Sequence, residues 1–206
     1  TLDPATGLPT AERFTRWPTP WIVQRRGAAY AHRVALTFDD GPDGTWTPAI
    51  LDTLAAHHAP ATFFVVGRSA ELHLPLLRRI VAEGHEIGNH SFTHPDLSRV
   101  SPLVTRLELD ATERLLEAAL DRRTALFRPP YFGDAEPTTG DELEPAWIAS
   151  QLGYVDVGLH IDTEDWQPGA TARSIVADAL AARARGHVVL LHDGGGDRSA
   201  TLAAVG

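Results

Sequence analysis

An Asp-Asp pair stands at positions 39 and 40, where the apolar run RVALTF meets DDGPDG. Burying a carboxylate is costly unless cations or donors compensate it, so two of them at a core exit call for partners. His90 and His94, in GHEIGNHSFTH, join Asp40 in a set of two histidines and one carboxylate. Three protein ligands with an open position form the pattern of a catalytic metal centre, usually zinc, and the same donors suit iron, cobalt or nickel. A metal so held can bring the pKa of its water down to about 7, a nucleophile that needs neither serine nor cysteine. The four-residue spacing puts both histidines on one side of a helical turn. Pro95 disfavours helix at His94, so a brief turn is expected there rather than a long helix.

The elements that must position these residues follow from the apolar pattern. Strands are predicted at 33–38, 61–66, 85–88, 125–127, 154–161 and 187–191, and helices at 47–58, 69–83, 102–121, 141–152 and 171–185. In LLRRIVAEGHEIG the apolar spacing is helical, and Gly84 falls where a helix C-cap belongs. Such alternation predicts parallel strands joined by helical crossovers, an α/β fold; periodicity leaves open whether the sheet closes. Each polar cluster then has the same address. Asp39-Asp40, His90, Arg128, Asp162 to Asp165 and His192-Asp193 each follow a predicted strand. In parallel α/β folds the carboxyl ends of strands make one face, where active sites collect, so these clusters are expected to converge.

Composition narrows the partners. The 206 residues suit one α/β domain, with 43% hydrophobic and 22% charged residues. No run of 18 apolar residues exists, so no membrane insertion is expected. The net charge is −9 and all 18 basic residues are arginine, which argues against a nucleic-acid partner and suits a neutral or cationic substrate. Cysteine is absent, so there is no disulfide framework. Residues 1–32, with RWPTPW, read as an irregular lead-in, and 33–206 as the domain proper. Methionine is missing even at position 1, TLDPATGLPT lacks the regions of a signal peptide, and SATLAAVG reads as a helix cut short. The expectation is a segment of a larger polypeptide.

Each piece alone has a plainer reading. An Asp-Asp pair after a strand can be a turn or helix cap, and HxxxH can be incidental. His192 can be a satisfied core histidine, Arg128 a surface arginine, and RPPYFG a rigid turn. Convergence on one face is what favours chemistry.

Taken in order, TFDDGP, HSFTH, RPPY, DTEDW and LLHD resemble the five motifs of the polysaccharide deacetylases, the NodB-homology group of carbohydrate esterase family 4. The resemblance spans about residues 33–205. GHEIGNHSFTHPDLS and YFGDAEPTT are similar to deacetylase domains joined to a glycosyltransferase in some bacterial proteins. It implies a distorted (β/α) barrel, commonly of seven parallel strands, and removal of N-acetyl groups from a β-linked amino-sugar polymer lying outside the cell or in its envelope. By position, Asp39 resembles the general base, and Asp40, His90 and His94 the ligands of one divalent ion, zinc foremost and cobalt or nickel next. Arg128 resembles the arginine that pairs with the base, and Tyr131 the residue whose backbone N–H helps hold the oxyanion. Asp165 would orient His192, the general acid, with Trp166 and Leu190 as apolar walls. The chain departs from the family at Phe132, where glycine is common, and at Thr163-Glu164; Phe132 would narrow the groove or offer a stacking face. Other substrates for the same residues are O-acetyl xylan and small cyclic amides, and a silent sugar-binding module is the reading from another class.

Overall fold

The computed structural model describes residues 34–131, 139–182 and 188–206. The lead-in at 1–32, Phe132 and the end of the helix expected to reach 185 lie outside the described residues. The elements run β1 (Ala35–Asp39), α1 (Trp46–Ala56), β2 (Ala61–Val65), α2 (Gly67–Leu72), α3 (Leu74–Ala82), β3 (Glu86–Asn89), α4 (Pro102–Leu120), β4 (Leu126–Phe127), α5 (Gly140–Gln151), β5 (Val155–Asp156), β6 (Ile161–Asp162), α6 (Ala172–Ala182), β7 (Val188–His192) and α7 (Ser199–Val205). A 3₁₀ turn at Leu97–Arg99 precedes α4. No helix among the described residues is long and apolar enough to cross a membrane.

All strand pairings are parallel, in the order β5-β4-β3-β2-β1-β7-β6. The two edges, β5 and β6, are consecutive in the chain and separated only by residues 157–160. Seven flat strands would set the outer pair about 29 Å apart. Five residue steps from Asp156 to Ile161 span at most about 18 Å. The sheet must therefore curl into a half-barrel whose edges approach each other. The run 154–161 was expected as one strand, and the structure corrects this: its two ends pair on opposite edges, β5 with β4 and β6 with β7. A strand of alternating residues carries no sign of which neighbour each half will take.

Side-chain alternation sorts the two faces. Phe38, Phe63, Val65, Ile87, Val189 and Leu191 join the main core with α1, α3 and α7. Val188 and Leu190 instead join Leu159 on the concave side. The helix expected over 69–83 is two, broken at His73 (φ −129°) just before Leu74-Pro75. Proline fits the first turn of α3 but not the interior of a continuous helix. Gly84 has φ +86°, the left-handed conformation that ends a helix. A capping box, Thr139 with Glu142, starts α5.

Candidate active site

The sequence clusters do converge. Asp39 ends β1, Asn89 ends β3 just before His90, Phe127 ends β4 just before Arg128, and His192 ends β7, all at the carboxyl edge of one parallel sheet. Register places Asp39 opposite His192 and Asn89 opposite Phe127.

Arg128 is 0% exposed and crosses the concave side. Its Nη1 donates to Asp39 Oδ1 and to Thr37 Oγ1, both at 2.8 Å. Nε and Nη2 donate to the carbonyls of Val157 (2.8 Å) and Gly158 (3.0 Å), in the link between the sheet edges. The guanidinium also lies 4.3 Å over the Phe64 ring. One side chain thus compensates the Asp39 carboxylate and ties the seam of the half-barrel.

Asp40, His90 and His94 present ligand atoms all within 4.8 Å of one another. Asp40 Oδ1 lies 3.1 Å from His94 Nε2 and 3.5 Å from His90 Nε2. Ligands about 2.0–2.1 Å from a tetrahedral zinc sit about 3.3 Å apart, so this spacing fits such an ion. His90 Nδ1 is 2.7 Å from the Arg128 carbonyl. A carbonyl only accepts, so Nδ1 carries a proton and Nε2 is the nitrogen that faces Asp40. Burial alone would raise the Asp40 pKa, but hydrogen bonds from His90 and His94 hold it well below the usual carboxylate range. The residues present therefore fit a divalent cation.

The geometry of this set departs from the helical turn that the spacing suggested. Ser91 (φ +63°) and His94 (φ +61°) both take left-handed conformations, and no helix forms between the histidines. Glu108, from α4, holds the loop instead. Its Oε2 accepts from the Phe92 N–H (2.8 Å) and Thr93 N–H (2.7 Å), and its Oε1 accepts from the Thr93 hydroxyl (2.7 Å). Asn89 accepts from Ser91 N–H and donates to the Leu109 carbonyl and Tyr154 hydroxyl.

On the other flank His192 Nδ1 lies 2.7 Å from Asp165 Oδ1, and the His192 N–H donates to Asp165 Oδ2 at 2.9 Å. Thr201 also donates to Oδ2, at 2.6 Å. Burial alone would lower the His192 pKa, but Asp165, with Asp39 and Asp40 beyond it, raises it above 6.5. Thr163 is buried and donates to the Leu190 carbonyl at 2.8 Å, while Glu164 turns at φ +50°. Leu190 is buried in the concave wall and Trp166 is 48% exposed beside Asp165. Tyr131 (φ +65°) is 70% exposed and sets its ring edge-on to His94, centroids 4.9 Å apart.

Asp193 is 1% exposed and its N–H donates to the Asp39 carbonyl at 3.1 Å. Thr47 donates to its Oδ2 at 2.5 Å. A Cβ on Gly41 would sit 2.2 Å from that oxygen, so only glycine fits there. Burial raises the Asp193 pKa to about 7, against the Thr47 hydrogen bond and with help from Asp40 and Asp39.

Sequence reasoning missed Thr37, Glu108, Thr47 and Thr201, which act through contacts 15 to 152 residues away in the chain. Asn89 was missed too, although a polar residue next to a buried strand end carries a signal, whereas Asp193 was named beside His192. Glu108 carries no such signal, being one of many acids on an amphipathic helix.

Fold and site together describe a parallel half-barrel with acid–base pairs and a three-donor set at its carboxyl edge. Residues 26–155 match the sequence pattern named Polysaccharide deacetylase, and the chain belongs to that family, the NodB-homology group of carbohydrate esterase family 4. It is 41% identical over 177 residues to a chitooligosaccharide deacetylase of Sinorhizobium fredii, covering 84% of this chain and 76% of that protein. It is 39% identical over 177 residues to a peptidoglycan-N-acetylglucosamine deacetylase of Bacillus cereus, covering 84% and 78%. The crystal structure of the Bc1960 peptidoglycan N-acetylglucosamine deacetylase superposes with a TM-score of 0.78 at 34% identity, covering 89% of this chain and 82% of that one.

Proposed function

We propose that this chain removes N-acetyl groups from a β-linked polymer containing N-acetylglucosamine, using one divalent cation, zinc foremost, held by Asp40, His90 and His94. The observation that carries this reading is the placement of two compensated pairs, Asp39–Arg128 and Asp165–His192, on either side of that three-donor set. A cation held there supplies a water nucleophile at neutral pH and polarises the acetamide carbonyl. Asp39 accepts the proton of the attacking water, its charge balanced by Arg128 throughout. The Tyr131 N–H steadies the carbonyl oxygen as negative charge builds, a role typically worth about 3–4 kcal/mol of activation energy. His192, protonated and steered by Asp165, delivers a proton to the departing nitrogen. Trp166 and Leu190 line the acetyl group. Substrates of this kind place the action outside the cell or in its envelope. The full complement of acid, base and ligands counts against a silent sugar-binding module.

The test is acetate release from chitin oligomers, peptidoglycan, poly-N-acetylglucosamine and acetylxylan, with metal analysis of the same protein. We expect acetate from N-acetylated substrates and close to one divalent ion per chain. Asp39→Asn should keep the ion and lose nearly all turnover, whereas His94→Ala should lose the ion. Acetate from acetylxylan alone, or turnover retained by Asp39→Asn, overturns the assignment.

A further inference from the structure

Arg198 belongs to none of the motifs above, yet it is only 5% exposed. Its Nε donates to the Gly194 carbonyl at 2.7 Å and its Nη1 to the Asp165 carbonyl at 3.5 Å. These bonds span the segments that carry Asp165 and His192. A guanidinium offers five N–H donors, so most of its capacity remains, including all of Nη2. Among the described residues no carboxylate oxygen lies within 4.0 Å of it. A fixed fork with unused donors is ready-made for a carboxylate.

Arg198 lines a cavity of about 270 Å³, with Trp166, Gln167 and Pro168 on one side and Gly195 and Gly196 on the other. Asp197 also lines it; its Oδ1 accepts from the Ser199 N–H at 2.9 Å, and hydrogen bonds from Ser199, with Arg198 beside it, hold its carboxyl below the usual carboxylate value. The cavity adjoins the reaction centre through Gly195. A Cβ there would lie 2.6 Å from Asp40 Oδ2 and 3.4 Å from Arg198 Nη2, so bare backbone separates the cation set from the arginine. A Cβ on Gly196 would lie 3.7 Å from the same Nη2.

We propose that this cavity is a carboxylate subsite in which Arg198 Nη2 receives either a carboxylate carried by the glycan next to the acetamide under attack, or the acetate that hydrolysis releases. The inference rests on the deacetylase reading. It separates two kinds of polymer, since a chitin-type chain is neutral throughout whereas a peptidoglycan-type strand bears carboxylates on its lactyl sugars and peptides.

The metal-loaded protein decides it. kcat/KM is measured on N-acetylchitotetraose and on a tetrasaccharide alternating N-acetylglucosamine with N-acetylmuramic acid, and sodium acetate is titrated as an inhibitor of the neutral substrate. In wild type the acidic-to-neutral ratio should exceed one by about tenfold and fall with added salt. In Arg198→Gln it should drop towards one, and Gln167→Glu, a like charge at the exposed rim, should lower it too. Because the ratio is taken within each variant, a general loss of activity cancels. Gln167→Glu carries the test if Arg198→Gln does not fold. A ratio of one in all proteins, with acetate inhibition about tenfold weaker in Arg198→Gln, assigns the subsite to the product. Ratios and acetate inhibition unchanged in both variants overturn the proposal. Turnover of neither substrate by wild type refutes the deacetylase reading instead, and calorimetric binding of the two tetrasaccharides to wild type and Arg198→Gln then supplies the ratio.

Discussion

Removing the guanidinium of Arg128 tests the electrostatic logic of the site most directly. Arg128→Met would leave the Asp39 carboxylate, 3% exposed, without its cation and strip donors from the Val157 and Gly158 carbonyls. Breaking a buried pair by deleting one partner costs about 3–5 kcal/mol, and the lost carbonyl bonds add roughly 1 kcal/mol each. The result, about 5–7 kcal/mol, rivals the whole stability of many domains, about 5–15 kcal/mol. Most of it is the penalty of a stranded charge, and that part is removable. Asp39→Asn in the same chain abolishes the charge, so the double variant should be more stable than Arg128→Met alone by about 2 kcal/mol or more, despite the second substitution. Urea unfolding of wild type, both single variants and the double variant at pH 7, with chelator present, measures the cycle. Additivity within about 0.5 kcal/mol, or a double variant weaker than Arg128→Met, would refute the reasoning.

Other perturbations have equally definite expected outcomes. Asp165→Asn removes the group that raises the His192 pKa, so the alkaline limb of kcat/KM should move to lower pH, with greater loss at pH 8 than at pH 6; an unmoved limb sinks the acid assignment. Glu108→Ala releases the loop between His90 and His94, and competition against a chelator should show metal held at least about tenfold more weakly, with Glu108→Gln in between. Equal affinity in all three would remove Glu108 from the site. Asp193 has a folded pKa raised from 3.8 to about 7, so its contribution to stability is full below pH 3.8 and is lost as pH rises through 7. That span corresponds to at most about 4 kcal/mol, and Asp193→Asn should flatten the decline in thermal stability between pH 4 and pH 7; a decline as steep as wild type contradicts it.

The candidate site was more legible than the sheet that builds it. Asp39, Arg128 and His192 stand out because charge directly after an apolar run is expensive, and the structure pairs them as that expense demands. The grouping of Asp40, His90 and His94 was legible as residue types, but the route to it was not. Four-residue spacing suggests a helical turn, whereas Ser91 and His94 reach the same juxtaposition through left-handed backbone pinned by Glu108. The break at His73 was signalled by Pro75, which local pattern could have used. The division of residues 154–161 was beyond local pattern, because pairing to β4 or β7 is decided by chain segments about 30 residues away on either side. Arg198 goes unmarked in the sequence, since nothing in DGGGDRSA reveals that it is covered.

The four residues at 157–160 act as a drawstring. Their length fixes how far the sheet can uncurl, and Arg128 knots them to β1 through the Val157 and Gly158 carbonyls. The same strand of chain then runs on through β6 to Asp165 and Trp166. Surface connections elsewhere in the fold can lengthen at small cost. An insertion here would slacken the rim and carry the partner of His192 away from Asp39. Among the described connections, this one sets the bore of the half-barrel.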